Sequence, residues 1–264
     1  MEVPLKTKLF AVMSVFCSFL FPGCEGSGDS TTGPTPSTVT QVSLVPLKVG
    51  DKWTVDVTDA EVTAGVETVV IVRDDSTYDG TPIYIGEIAI TAPPFTSDGT
   101  KFNTFNGTGR IFLRKSDQLP VYLYESFLAD VIPVGSTVSL KVNIIEESHS
   151  VLTGSIPATL TPGLSWTVTE VAVSHTESYV DGELQESKDS TKTKTSAYVT
   201  KGIYDITVPA GKFTAIEMDH TEAETGKSVV EYYSEEARVS VKETDTEVGE
   251  SPSVYALRGL SLVK

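Results

Sequence analysis

The feature that most constrains this chain is a period of two. From about Gln41 to Lys264, apolar and polar residues alternate over short runs rich in Val, Ile, Thr and Tyr, interrupted by Gly, Pro and Asp. Successive side chains of a strand point to opposite faces, so the alternation predicts half-buried β-strands. The runs are KWTVDVT (52–58), VETVVIVR (66–73), PIYIGEIAI (82–90), GRIFLRK (109–115), PVYLYES (120–126), STVSLKVNII (136–145), SWTVTEVAVSHTES (165–178), ELQESKDSTKTKTSAYV (183–199), IYDITV (203–208), FTAIEMDH (213–220), SVVEYYS (228–234), ARVSVKET (237–244) and VYALRGLSLV (254–263). Few segments keep a helical period, and only FLAD, at 127–130, is expected to start a helical turn. Asp181-Gly182 in SYVDGELQ suits the two positive-φ positions of a type I′ hairpin, and Thr225-Gly226 is similar. In TVPAGKFTAIEM, Gly211 is free to take φ > 0 at a hairpin corner. The expectation is an all-β, mainly antiparallel fold whose sheets curve into a half-barrel, a barrel or a sandwich, so that strand edges are covered. The 41–264 segment is long enough for one large β domain, or for two similar halves at about 41–145 and 146–264.

Residues 1–23 have a different grammar. Lys6 and Lys8 give a short basic start, and the apolar run from Leu9 to Phe21 has the length of a signal-peptide core; a membrane-spanning helix needs roughly 20 residues. Gly23-Cys24 resembles the lipobox of bacterial lipoproteins. The resemblance implies that Cys24 is the first residue of the mature chain, with its thiol linked to diacylglycerol and its amine acylated, palmitate being typical. Cys17 would leave with the signal, so the exported chain keeps one cysteine and has no internal disulfide. Each buried methylene contributes about 0.8 kcal/mol to membrane binding, so two or three acyl chains anchor permanently. Glu25 follows the cysteine, rather than the Asp that resembles an inner-membrane retention signal, which points to the outer membrane. From Cys24 to Thr40 the chain is mostly Gly, Ser, Thr and Pro, with Glu25 and Asp29 and no apolar residue between Cys24 and Val39. It has too little to bury to offset its chain entropy, and is expected to be a disordered tether.

The formal net charge is −16, and it becomes −17 once Glu2, Lys6 and Lys8 depart with the signal. That balance excludes nucleic acid and anionic lipid surfaces as partners, because both need basic patches. It fits solubility in a crowded envelope, with cation binding as a narrower reading.

PLKVGDKWTVDV (46–57), IPVGSTVSLKV (132–142) and TPGLSWTVTEV (161–171) echo one another, each with Pro, a nearby Gly and then an alternating strand. Trp53 and Trp166 open two of these strands and are expected to cap the core rather than form a ligand platform. PLKVGDKW, VPAGKFTAIEM, VEYYSEEARVSVKET and the closing apolar strand resemble a group of uncharacterised bacterial lipoproteins. The resemblance implies a curved antiparallel sheet similar in outline to the LolA-type half-barrel carriers. SEEARVSV stands where that group has a Gly-containing turn.

No constellation in the sequence carries catalysis. His149, His175 and His220 lie in polar surroundings with no HExxH, CxxC or GxSxG pattern, and read as surface residues. Asp74, Asp75 and Asp79 in RDDSTYDG lack EF-hand spacing and read as turn formers. No cofactor, metal or catalytic residue is therefore expected, and Cys24 is the one assigned site. The function expected is that of a non-catalytic, lipid-anchored envelope protein. It would bind an apolar or extended ligand, or dock another envelope protein. The alternatives are a hydrolase of a cell-wall or exported polymer using Asp219 and Glu222, and a structural surface-display protein. Two carboxyls facing across a cleft would mark the hydrolase.

Overall fold

A computed structural model describes residues 34–58, 65–97, 99–246 and 252–264. The signal segment, Cys24 and most of the expected tether lie outside the described residues. The alternating runs form strands, most of them longer than the sequence suggests. In chain order they are β1 (Thr35–Pro36), β2 (Val42–Ser43), β3 (Lys52–Thr58), β4 (Gly65–Tyr78), β5 (Thr81–Ala92), β6 (Phe95–Ser97), β7 (Thr100–Arg114) and β8 (Pro120–Ile132). The second half holds β9 (Leu140–Thr153), β10 (Thr159–Leu160), β11 (Ser165–Val180), β12 (Glu183–Val208), β13 (Gly211–Glu222), β14 (Ser228–Ser234), β15 (Val239–Thr246) and β16 (Ser253–Ser261).

The sheet is antiparallel and closes. Its order runs β12-β11-β9-β8-β7-β5-β4-β3-β16-β15-β14-β13, and β13 pairs back onto β12, giving a barrel of twelve strands. Of the three curved forms expected, the barrel is the one adopted. Position 145/146 falls inside β9, which pairs continuously with β8 and β11 across it.

The alternation sorts side chains between lumen and outside. On β8, Val121, Phe127, Ala129 and Val131 are buried, while Tyr124 and Leu128 between them are exposed. The outer wall carries Thr104, Asn106, Thr108 and Arg110 on β7, Lys141 on β9 and Thr167 and His175 on β11. Exposed Leu128, Val151, Val171 and Val173 share that wall with them. One end of the lumen is filled by Phe102, Phe105 and Phe127, all at most 1% exposed, with Phe105 and Phe127 stacked at 5.6 Å. Glycines let these side chains lie against the wall: a Cβ on Gly107 would stand 2.8 Å from the Phe127 ring.

The opposite end is crossed by a strap, residues 42–48. Val42 and Leu160 of the small β2–β10 ladder are buried with Ile203, Ile216, Met218 and Tyr233. The Val45 N–H donates to Tyr233 Oη (3.1 Å), and the Val45 carbonyl accepts from Gln118 Nε2 (2.8 Å). The strap thus ties the β14 wall to the β7–β8 hairpin.

Several expectations need correction. FLAD is no helical turn but the middle of β8, where Phe127 and Ala129 alternate inward. Asp74 and Asp75 lie within β4 beside a register shift, and only Asp79, at φ 47°, makes a turn. The two runs 183–199 and 203–208 are one strand, β12, with its register shifted between Thr200 and Ile203. The tether ends sooner than composition implies, since Thr35 and Pro36 pair with Asp205 and Tyr204 on β12. The Asp181-Gly182 hairpin reading holds, with φ 50° and 86°, whereas at Thr225-Gly226 only Gly226, at φ 72°, takes a positive value.

Candidate functional site

Between the phenylalanine-filled end and the strap lies a cavity of about 200 Å³. Trp53 and Val55 on β3, Val69 on β4, Leu113 on β7, Met218 on β13 and Leu257 on β16 contribute its apolar lining. A dry cavity of about 150 Å³ is known to take up benzene, so the space suits one ring or a short alkyl chain. Trp53 is 4% exposed and its Nε1 donates to the Ala237 carbonyl at 2.8 Å, so it caps the core, as expected, while also forming cavity wall.

Besides Asp117, which is paired with Arg114, three carboxyl groups break the apolar lining: Glu67 on β4, Glu231 on β14 and Glu243 on β15. Glu231 and Glu243 are direct cross-strand partners. A fourth, Glu125, faces the lumen from β8, opposite Glu146 on β9, and is 1% exposed. Its cross-strand neighbour on β7 is Gly109, where a Cβ would stand 3.0 Å from Glu125 Cγ. Burial alone raises the Glu67 pKa to about 8. Burial also pushes Glu125 well above the carboxylate range, helped by the charges of Glu67 and Glu146. Glu243 is raised by burial and then by Glu231 and Asp245, while Lys227 and Lys194 oppose. Glu231 is raised by burial, offset in part by the hydroxyl of Ser240, which donates to Oε2 at 2.7 Å.

Beside the cavity three rings stack. Trp166 lies 5.2 Å from Tyr198, and Tyr198 lies 4.4 Å from His220. His220 is 3% exposed, which corrects its reading as a surface residue. Burial, and then Lys194 and Lys227, lower its pKa to about 3, so it is a neutral imidazole. His149 and His175 are exposed, as expected: His149 bonds Tyr78, and His175 meets Asp189 at 2.6 Å. Trp166 is half-buried and packs against the buried cluster of Val42, Leu160, Ile203, Ile216 and Met218 as well as against Tyr198, so it too caps the core, as expected.

The structure does not bring Asp219 and Glu222 together. Asp219 faces outward with Lys201 at 3.3 Å, whereas Glu222 is 5% exposed and bound to Lys194 at 2.6 Å. Among the described residues, no three His, Cys, Asp or Glu side chains are placed to hold a metal ion.

Sequence reasoning missed the four lumen glutamates. A signal was present in β8, where Val121, Leu123, Glu125, Phe127, Ala129 and Val131 form one inward stripe with a single carboxyl in its middle. No protein-family model, curated protein or solved structure matches the chain.

Proposed function

We propose that this protein is a binding protein of the bacterial cell envelope that holds a small, mostly apolar ligand inside the barrel and is anchored by lipid at Cys24. One observation carries the reading: the closed barrel holds a cavity lined mainly by Trp53, Val55, Val69, Leu113, Met218 and Leu257. Concave, mostly apolar spaces with a few converging polar groups are the usual form of small-molecule sites. The Gly23-Cys24 junction and the basic, apolar leader before it support export and lipid attachment, and Glu25 supports the outer membrane. The role is holding or carrying a ligand and assigns no catalytic residue, the candidate pair Asp219 and Glu222 being on opposite faces of β13.

The test uses Cys24→Ser protein released from envelopes under non-denaturing conditions and weighed by native mass spectrometry. That variant leaves the membrane fraction, and its barrel retains a small-molecule adduct. Val69→Phe or Leu113→Phe, each of which fills the cavity, removes the adduct without unfolding the barrel. A Cys24→Ser protein that stays in membranes overturns the anchor, and an adduct unchanged in both filled variants overturns the cavity.

A further inference from the structure

The lumen holds acid without matching base. Its basic side chains near the cavity are already engaged: Lys194 pairs with Glu222 at 2.6 Å, and Lys227 pairs with Asp245 at 2.6 Å. Arg114, at the strap end, is taken by Asp117. That leaves Glu67, Glu125, Glu231 and Glu243 with no cation paired to them. Like charges directly opposite each other on neighbouring strands destabilise a sheet. This lumen places two such pairs face to face, Glu231 with Glu243 and Glu125 with Glu146. A separate observation points the same way: Glu125 Oε2 is fully buried and has no hydrogen-bond partner among the described residues. Glu125 does not itself line the cavity, but its carboxyl is close enough for the charge of Glu67, which does line it, to raise it. A buried polar atom left without a partner costs about 1–3 kcal/mol, and more if charged.

We infer that the cavity is built for a small lipophilic amine, whose ammonium group supplies the missing base beside Glu231, Glu243 and Glu67 while its apolar body lies against Trp53, Val69 and Met218. This deepens, and rests on, the reading that the lumen takes a small apolar ligand. A metal ion is the poorer occupant, because no three ligands converge and most of the lining is apolar. Besides Ser240, which donates to Glu231, the inner groups acting on the carboxyls are acids or phenols: Asp245 and Tyr198 near Glu243 and Glu231, Glu146 near Glu125, and Glu170 and Glu222 near Tyr198. Lys194 and Lys227 are already paired, and His220 is neutral. Because burial keeps Glu67 largely protonated at neutral pH, binding an ammonium beside it releases a proton to solvent. Affinity for the amine therefore rises with pH up to about the Glu67 value of 8.

Isothermal titration of the protein with benzylamine and with its neutral analogue benzyl alcohol, between pH 6 and pH 8, tests this. Benzylamine is expected to bind more tightly, with its affinity rising roughly tenfold per pH unit for one proton released, while benzyl alcohol binds weakly and without pH dependence. Glu243→Gln, and independently Glu67→Gln, are expected to lower benzylamine affinity roughly tenfold to hundredfold, the usual worth of a hydrogen bond to a charged group. Both are expected to leave benzyl alcohol unchanged. Each replacement copies the shape of a protonated glutamate, and if one variant does not fold the other decides. Equal, pH-independent binding of both compounds, or benzylamine binding indifferent to the folded variants, overturns the amine inference and leaves the apolar lumen standing. If neither compound binds, the lumen reading falls and the inference falls with it.

Discussion

Asp51 shows what a single side chain does in this barrel. It is fully buried, and it accepts from Lys48 N at 2.8 Å, Arg238 Nη1 at 2.6 Å and Val263 N at 2.9 Å. One carboxylate therefore joins the strap, the β14–β15 turn and the C-terminal segment. Arg238 holds φ 63°, a conformation usually left to glycine. The arginine takes this turn conformation while its side chain anchors Asp51. Removing one partner of a buried ion pair typically costs about 3–5 kcal/mol, so Asp51→Ala is expected to lose about that much in urea unfolding. Arg238→Gly is expected to lose less, because relief of backbone strain offsets part of the lost bond. A loss below about 1 kcal/mol for Asp51→Ala would contradict the tie. The motif VGDKW was legible as a turn opening a strand. Two of its three partners, Arg238 and Val263, were not, because they lie 187 and 212 positions away and only the closed barrel brings them near. Glu125 is the reverse case, since its place in an apolar stripe can be read from β8 without any partner.

At the scale of elements, the N-terminal segment divides where composition does not. Glu25 to Thr40 is polar throughout until Val39 and reads as tether, yet Thr35–Pro36 is a strand. The reason lies in β12, which outruns β11 at Val199 and leaves an edge at Tyr204 and Asp205 for β1 to occupy. No property of the tether itself announces that vacancy. Beyond it, Val42 and Leu47 are each 3% exposed, and burying such side chains contributes about 1.5–3 kcal/mol apiece. Deleting 25–33 is expected to leave the melting temperature unchanged, whereas deleting 25–47 is expected to lower it by several degrees and to uncover the cavity. Differential scanning calorimetry of the two truncations decides it, and equal melting temperatures would remove the strap from the account. FLAD misled for a related reason. Its local preference for a turn is overridden because Phe127 and Ala129 fall in register with Ile144 and Val142 across the β8–β9 ladder, where all four are buried.

At the scale of the whole molecule, antiparallel sheet and covered edges were legible from period and turns, while closure at twelve strands was not, because it depends on the non-local pairing of β12 with β13. Closure also decides which carboxyls leave water, and so how the molecule responds to pH. Glu67 has an ordinary pKa of 4.5 when unfolded and about 8 when folded. Its contribution is fully present below pH 4.5 and is lost as pH rises to about 8, with Glu125 and Glu243 acting in the same direction. His220 runs the other way. Its pKa falls from 6.5 to about 3, so its contribution is present above pH 6.5 and lost as pH falls toward 3. Each such group changes stability by about 1.4 kcal/mol per pH unit inside its own window. The slopes oppose between pH 4.5 and pH 6.5, and because three carboxyls act against one imidazole, stability is expected to peak toward the acid end of that window. The most direct measurement is the ligand-free melting temperature from pH 3 to pH 9 for the wild type and Glu67→Gln. The expected result is a maximum between pH 4.5 and pH 6.5, a fall toward pH 8, and a visibly shallower alkaline limb in Glu67→Gln. A melting temperature that holds steady or rises through pH 8, or an alkaline limb unchanged by Glu67→Gln, would place these carboxyls in water and contradict an acid-lined cavity inside the barrel.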